Sequence, residues 1–159
     1  MTMKNTKILT IVPFIAVVLC GCNNNSLYNK QLTVDKNGWN LAENLRYDVD
    51  IDDTLTPFDF YIDIRNNRDY AYSNLFLFIT TTFPDKVVRC DTLECPLADT
   101  YGKWYGKTSG KHIDGRYLLH KNVIFPIKGT YTFQISHGMR DTLLHGVKNV
   151  GLHAERSQN

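Results

Sequence analysis

Apolar and polar positions alternate along much of this chain, and the period is two. Phe58, Phe60, Ile62 and Ile64 interleave with Asp59, Tyr61, Asp63 and Arg65, as on a strand that buries one face and wets the other. The same rhythm sets Tyr131, Phe133 and Ile135 against Thr132, Gln134 and Ser136, and Val150, Leu152 and Ala154 against Gly151, His153 and Glu155. Residues 70–83 are apolar on both sides around Leu75–Ile79, which predicts a central strand of a sheet covered on both faces. Weaker patterns predict strands over 45–51, 87–93 and 117–125.

Turn formers separate these runs: Asp52-Asp53, Asn66-Asn67, Pro84-Asp85, Lys128-Gly129 and a stretch with Gly102, Gly106, Gly110 and Gly115. Seven or so short strands with turns between them predict an all-β fold, an antiparallel β-sandwich. Gly129-Thr130-Tyr131-Thr132-Phe133 follows a turn and resembles the late strand of immunoglobulin-like domains, where the tyrosine hydroxyl bonds back to that turn. The best candidate for a helix is the short segment 139–144. No internal repeat or heptad pattern is present.

The first twenty-one residues read differently. Lys4 and Lys7 precede twelve uncharged residues, Ile8 to Leu19, and Leu19-Cys20-Gly21-Cys22 follows. A positive start, a short apolar stretch and a small residue at the cut make a secretory signal. Twelve residues rise only about 18 Å as a helix, too little for a hydrocarbon layer of about 30 Å. Leu19-Cys20-Gly21-Cys22 resembles the bacterial lipobox, whose final cysteine carries diacylglycerol through a thioether. Residues 1–21 are therefore expected to be a lipoprotein signal peptide, Cys22 the lipid-attachment site, 22–31 a polar tether and 32–159 one β-sandwich domain.

Composition adds one exclusion. The 159-residue chain has a formal charge of +2, but Lys4 and Lys7 lie in the leader, so sixteen basic residues then face sixteen acidic ones. A neutral balance without a Lys/Arg cluster gives no electrostatic footprint for nucleic acid.

Candidate chemistry is sparse. The chain lacks Gly-x-Ser-x-Gly, a phosphate loop, His-Glu-x-x-His and a dinucleotide fingerprint, so no catalytic residue and no cofactor is expected. His112, His120, His137, His145 and His153 show no ligand spacing and read as scattered surface or edge histidines. A pocket holding a carboxylate beside one of them would bring back an enzymatic reading. Asp48, Asp50, Asp52 and Asp53 lack the glycine and glutamate of a calcium loop; they read as the wet face of a strand entering a turn, and no metal is expected.

Cys90 and Cys95 are the thiols left once Cys20 is cut away and Cys22 lipidated. A disulfide suits an oxidising compartment. Five steps of extended strand span about 17 Å, however, and a disulfide needs Cα atoms within about 7 Å. The bond forms only if Asp91-Thr92-Leu93-Glu94 turns; otherwise Cys95 is a small buried hydrophobe. Trp39 and Trp104, the latter in Gly102-Lys103-Trp104-Tyr105-Gly106-Lys107, are candidate contacts for a glycan or a partner. The competing reading is that a tryptophan in a glycine-rich connection plugs the end of a sandwich.

From Trp39 onward the chain resembles the gliding-motility lipoprotein H (GldH) family of the Bacteroidetes. The resemblance is carried by Phe58–Arg65 with Tyr70-Ala71-Tyr72-Ser73-Asn74-Leu75, Asp91-Thr92-Leu93, Leu97-Ala98-Asp99, the Gly102–Lys107 stretch, Gly129–Phe133, Met139-Arg140 and Leu144-His145-Gly146-Val147-Lys148-Asn149-Val150-Gly151-Leu152. It implies a non-enzymatic protein anchored by lipid to the outer membrane, in company with other envelope lipoproteins of the gliding and type IX secretion machinery. Asn23–Gln31 lacks the acidic run that resembles a surface-export signal, so the periplasmic side is expected. The alternative, of a different class, is a glycan-binding lipoprotein using Trp39 or Trp104.

Overall fold

The computed structural model describes residues 26–158; the leader, Cys22 and the start of the tether lie outside them. Eleven strands follow one another among the described residues: β1 (Ser26–Thr33), β2 (Trp39–Asn40), β3 (Leu45–Ile51), β4 (Phe58–Asn67), β5 (Asn74–Thr82), β6 (Val88–Pro96), β7 (Lys107–Ser109), β8 (His112–Val123), β9 (Gly129–His137), β10 (Leu143–Leu144) and β11 (Val147–Arg156). They form a five-stranded sheet in the order β1-β11-β4-β8-β7, a four-stranded sheet in the order β3-β9-β5-β6, and a β10-β2 ribbon. Every pairing is antiparallel. The expected antiparallel sandwich is the fold.

Alternation in the sequence sets which face is inside. In β3 the odd positions Leu45, Tyr47, Val49 and Ile51 are buried while Arg46, Asp48 and Asp50 are exposed. Asp48 and Asp50 accept hydrogen bonds from Thr132 and Thr130 of β9, both at 2.6 Å, so the aspartates are indeed a strand's wet face. Phe60, Ile62 and Ile64 of β4, Leu75, Leu77 and Ile79 of β5, Ile135 of β9 and Val150 and Leu152 of β11 fill the space between the sheets. Each such side chain contributes roughly 1.5–3 kcal/mol by leaving water. A one-residue slip would turn all of them outward, which pins the register.

Two ends of the sandwich can be distinguished. At one, here the near end, β1 begins opposite Glu155, β4 begins opposite Arg156 and Val123, β9 begins opposite Ile51, and β5 passes into β6. Tyr131 closes this end: its hydroxyl donates to the Ile127 carbonyl at 2.9 Å, the bond back to the turn that the Gly-x-Tyr-x-Phe pattern predicts. Its ring packs on Phe125 and Phe83 at 4.6 and 5.1 Å. The far end holds the β10-β2 ribbon and the glycine-rich connection between β6 and β7.

Four expectations are corrected. β5 is central in its sheet, between β9 and β6, but only one of its faces is covered: Phe78 is 49% exposed and Phe76 half-buried. Its apolar run reads as two buried faces because an isolated aromatic pair sits on an otherwise polar outer surface. Residues 139–144 are not helical. Leu144 drops into the core opposite Trp39, Leu143 pairs with Asn40, and the segment is shorter than the 12–15 residues that a marginally stable isolated helix needs.

The second half of the expected tether is also strand. Ser26–Thr33 pairs with β11 from Glu155 to Asn149, with Leu27, Tyr28 and Leu32 against the core. A polar edge strand with few apolar positions gives little periodic signal, so it read as linker. Finally, β8 begins at His112 and β11 at Val147, each several residues earlier than their alternation suggests. β11 carries a register shift between Val147 and Asn149, which breaks the period of two.

Candidate functional site

The residues singled out in the sequence do not converge. Trp39 is wholly buried, its indole N–H donating to the Glu43 carbonyl at 3.2 Å and its ring edge-on to His137 at 5.4 Å. It is a core side chain and presents no platform for a sugar. Gly38 before it has φ of 128°, and a Cβ there would lie 2.9 Å from the Leu143 side chain, so the approach to β10 requires glycine.

Trp104 sits at the far end, half-buried against the core and bridged to Ala98. The connection around it is folded, not slack. The Asp99 carboxylate accepts the N–H groups of Tyr101 and Lys103, both at 2.9 Å, and Tyr105 N–H donates to the Leu97 carbonyl at 2.9 Å. The tryptophan thus faces in and Tyr101 faces out, 95% exposed, with Tyr105 beside it also exposed. The sequence singles out Trp104 in this stretch and misses Tyr101; the Asp99-x-Tyr101-Gly102 turn is the available signal.

Cys90 and Cys95 both lie on β6, which runs unbroken from Val88 to Pro96. Cys90 pairs with Thr80 and Cys95 with Leu75. The Asp91–Glu94 turn that a bond required does not form, and both thiols are free, Cys90 exposed and Cys95 buried. Burial, with the Glu94 charge adding to it, pushes the Cys95 thiol up to about 12, which leaves it protonated and inert.

The histidines are not all peripheral. His137 is fully buried at the end of β9, with Nε2 3.1 Å from the Trp39 carbonyl. Burial pushes its pKa down, against the pull of that carbonyl. His153 is buried on β11, its Nε2 3.2 Å from Glu155. Period-two alternation placed His153 on the polar side of β11, but β1 and β4 flank it on both sides.

A cavity lined by an aromatic cluster opens at the near end, along the flank where β6 and β8 are the free edges. β7 covers β8 only from His112 to Asp114, so the sheets part beyond it. The cavity holds about 390 Å³ and is floored by Phe60, Phe83, Phe125 and Phe133. Phe60 and Phe133 stack at 5.5 Å. Its rim carries Arg89, lying 5.6 Å over Phe83, and His120, whose Nε2 is 3.3 Å from Asp91 across the gap between the sheets. A volume of this order suits a small apolar ligand.

His120 beside Asp91 is the pairing of imidazole and carboxylate that would reopen an enzymatic reading. Both side chains are more than a third exposed, in high dielectric where such a pair is weak. The hydroxyls in the lining are Thr81 and Tyr131, and Tyr131 already donates to Ile127. The geometry therefore offers an apolar cleft with a polar lip and no activated nucleophile. Among the described residues, no three His, Cys, Asp or Glu side chains gather as a metal site would require, and no helix is long and apolar enough to cross a membrane.

What the fold and its surfaces define is an all-β, antiparallel sandwich with separate near-end and far-end features. Comparison with known proteins narrows this. The model of the GldH lipoprotein family matches residues 26–154, and the chain belongs to that family. It is 29% identical to a gliding motility lipoprotein GldH homolog of Christiangramia forsetii, over 99% of this chain and 100% of that one. It is 24% identical to the gliding motility lipoprotein GldH of Flavobacterium johnsoniae, over 98% and 99% of the two chains. No solved structure gives a significant match. Membership of a lipoprotein family implies a membrane-anchored protein of the cell envelope.

Proposed function

We propose that this chain is a non-enzymatic envelope lipoprotein, held through lipid on Cys22 after removal of residues 1–21, that works as an interaction component of a motility- or secretion-associated assembly. The family match over 26–154 carries this reading, because it spans nearly the whole described sandwich rather than one shared hairpin. The anchor sits on the periplasmic face of the outer membrane, and its partners are other envelope lipoproteins of that assembly. The contact surface is the far end, which carries Tyr101 and Tyr105 and also Leu41 and Leu143, all four exposed. Exposed aromatics of this kind are common anchors of protein interfaces.

Crosslinking in intact envelopes tests the reading. A tagged wild-type chain recovers envelope-assembly proteins, and a Tyr101→Ala, Tyr105→Ala double variant of equal abundance recovers far less of them. Recovery of no such proteins, together with retention on a glycan column, would replace the interaction role by glycan binding. Mass spectrometry of the amino-terminal peptide bearing diacylglycerol on Cys22 checks the anchor separately.

A further inference from the structure

The near end of the sandwich carries an apolar side chain at the tip of each of three separate connections. Leu55, between β3 and β4, is 85% exposed; Val87, in the β5–β6 hairpin, 50%; and Ile124, between β8 and β9, 58%. Val88 and Ile127 add to them, both exposed. Strand register brings these connections to one end, since Phe58 pairs with Val123 and Thr82 with both Val88 and Thr132. A Cβ on Gly129 would lie 3.0 Å from Pro84, so the second and third connections touch.

The connection with the most exposed tip is held in shape. The Asp53 carboxylate accepts the N–H of Leu55 at 2.8 Å and that of Thr56 at 3.0 Å, and takes the Thr56 hydroxyl as well. Leu55 is thereby displayed by an ordered turn. In the hairpin, Asp85 accepts the N–H of Val87 at 3.1 Å. Asp53 and Asp85 are thus engaged with their own loops, while Asp52, Lys86, Lys121 and Lys128 stand exposed. Apolar tips set among charges of both signs suit the boundary between hydrocarbon and lipid headgroups.

The length of chain before β1 says what covers them. Cys22 precedes Ser26 by four residues, a reach of at most about 14 Å. The ten residues of β11 span about 33 Å, so the far end cannot be the one drawn to the bilayer. We propose that the near end docks on the lipid surface, with Leu55, Val87 and Ile124 entering the headgroup region. The sandwich then stands upright, and the Tyr101–Tyr105 tip projects away from the membrane. This rests on Cys22 being the lipid-bearing residue.

Depth-dependent quenching tests it. The mature lipoprotein, purified with its acyl chains and carrying Cys90→Ser, is labelled with an environment-sensitive fluorophore at single sites made by Leu55→Cys, Ile124→Cys, Tyr105→Cys or Leu143→Cys. Each form is reconstituted into phosphatidylethanolamine–phosphatidylglycerol vesicles and floated. Labels at 55 and 124 shift to the blue and are quenched by brominated lipid; those at 105 and 143 do neither. If the protein floats and all four labels stay in water, the docking is wrong and the anchor stands. If it fails to float, the anchor itself is wrong and the docking falls with it. A blue shift at 55 and 124 that persists without vesicles would mean that protein, not lipid, covers this end.

Discussion

The Tyr47 hydroxyl donates to the Val150 carbonyl at 2.7 Å, reaching from β3 in one sheet to β11 in the other. Both residues are fully buried. Burial, with a small push from Tyr28, raises the phenol far above its usual range, so the bond persists at any ordinary pH. Apolar packing holds two sheets together without fixing how far one slides over the other. A directional bond at this point does fix it.

Tyr47→Phe removes that bond and little volume. The expected loss is about 1 kcal/mol, read as a lower urea midpoint with an unchanged slope. A changed slope would mean that the sheets loosen rather than merely weaken.

The two tryptophans separate by burial. Trp39→Ala empties a fully buried site and lowers stability by about 3–5 kcal/mol. Trp104 is half-buried, and Trp104→Ala loses about 2 kcal/mol, nearer half that cost. Equilibrium unfolding of both variants checks the order. If Trp104→Ala left stability untouched while abolishing retention on a glycan column, the tryptophan would be a ligand contact.

His137 makes stability depend on pH. Its folded pKa lies below the unfolded value near 6.5 because burial disfavours the cation. The unfolded chain then binds the extra proton as pH falls, so stability is full above about pH 6.5 and declines below it, by at most about 1.4 kcal/mol per pH unit. Asp48, Asp59 and Asp114 are depressed by hydrogen bonds, from Arg46, Ser157 and Arg65 in turn. Their contribution is present above about pH 4 and is lost only as the solution becomes more acid than that. Between pH 7.5 and 5.5, wild type loses stability and His137→Gln is flatter. Equal slopes would remove His137 from the account.

The two thiols of β6 differ in access. In folded protein a maleimide modifies Cys90, while Cys95, protonated and enclosed, reacts only after denaturant is added. Peptide mapping by mass spectrometry reads this directly. Rapid modification of both would mean that the β6 edge opens.

Much of the sandwich is written locally. A strand with one wet face repeats every second residue, so β3, β4 and β9 announce both their existence and their buried side. The turn before Gly129 likewise foretells the Tyr131 bond to Ile127, because donor and acceptor are four residues apart. Contacts of that range need no knowledge of the rest of the chain.

Other features depend on partners distant in sequence. Trp39 is buried because β10, a hundred residues later, lies beside it; nothing near position 39 says so. β1 looks like a linker until β11 supplies its hydrogen bonds. The cleft between β6 and β8 exists because β7 stops short, and His120 meets Asp91 only where the sheets part.

Composition and alternation alone thus settle the class of this chain, because burying one face of a strand is a demand each segment makes for itself. Which aromatics are enclosed, which loops share an end and at which end β1 begins come from folding. Those are distances between segments, and a linear pattern carries no distance of that kind.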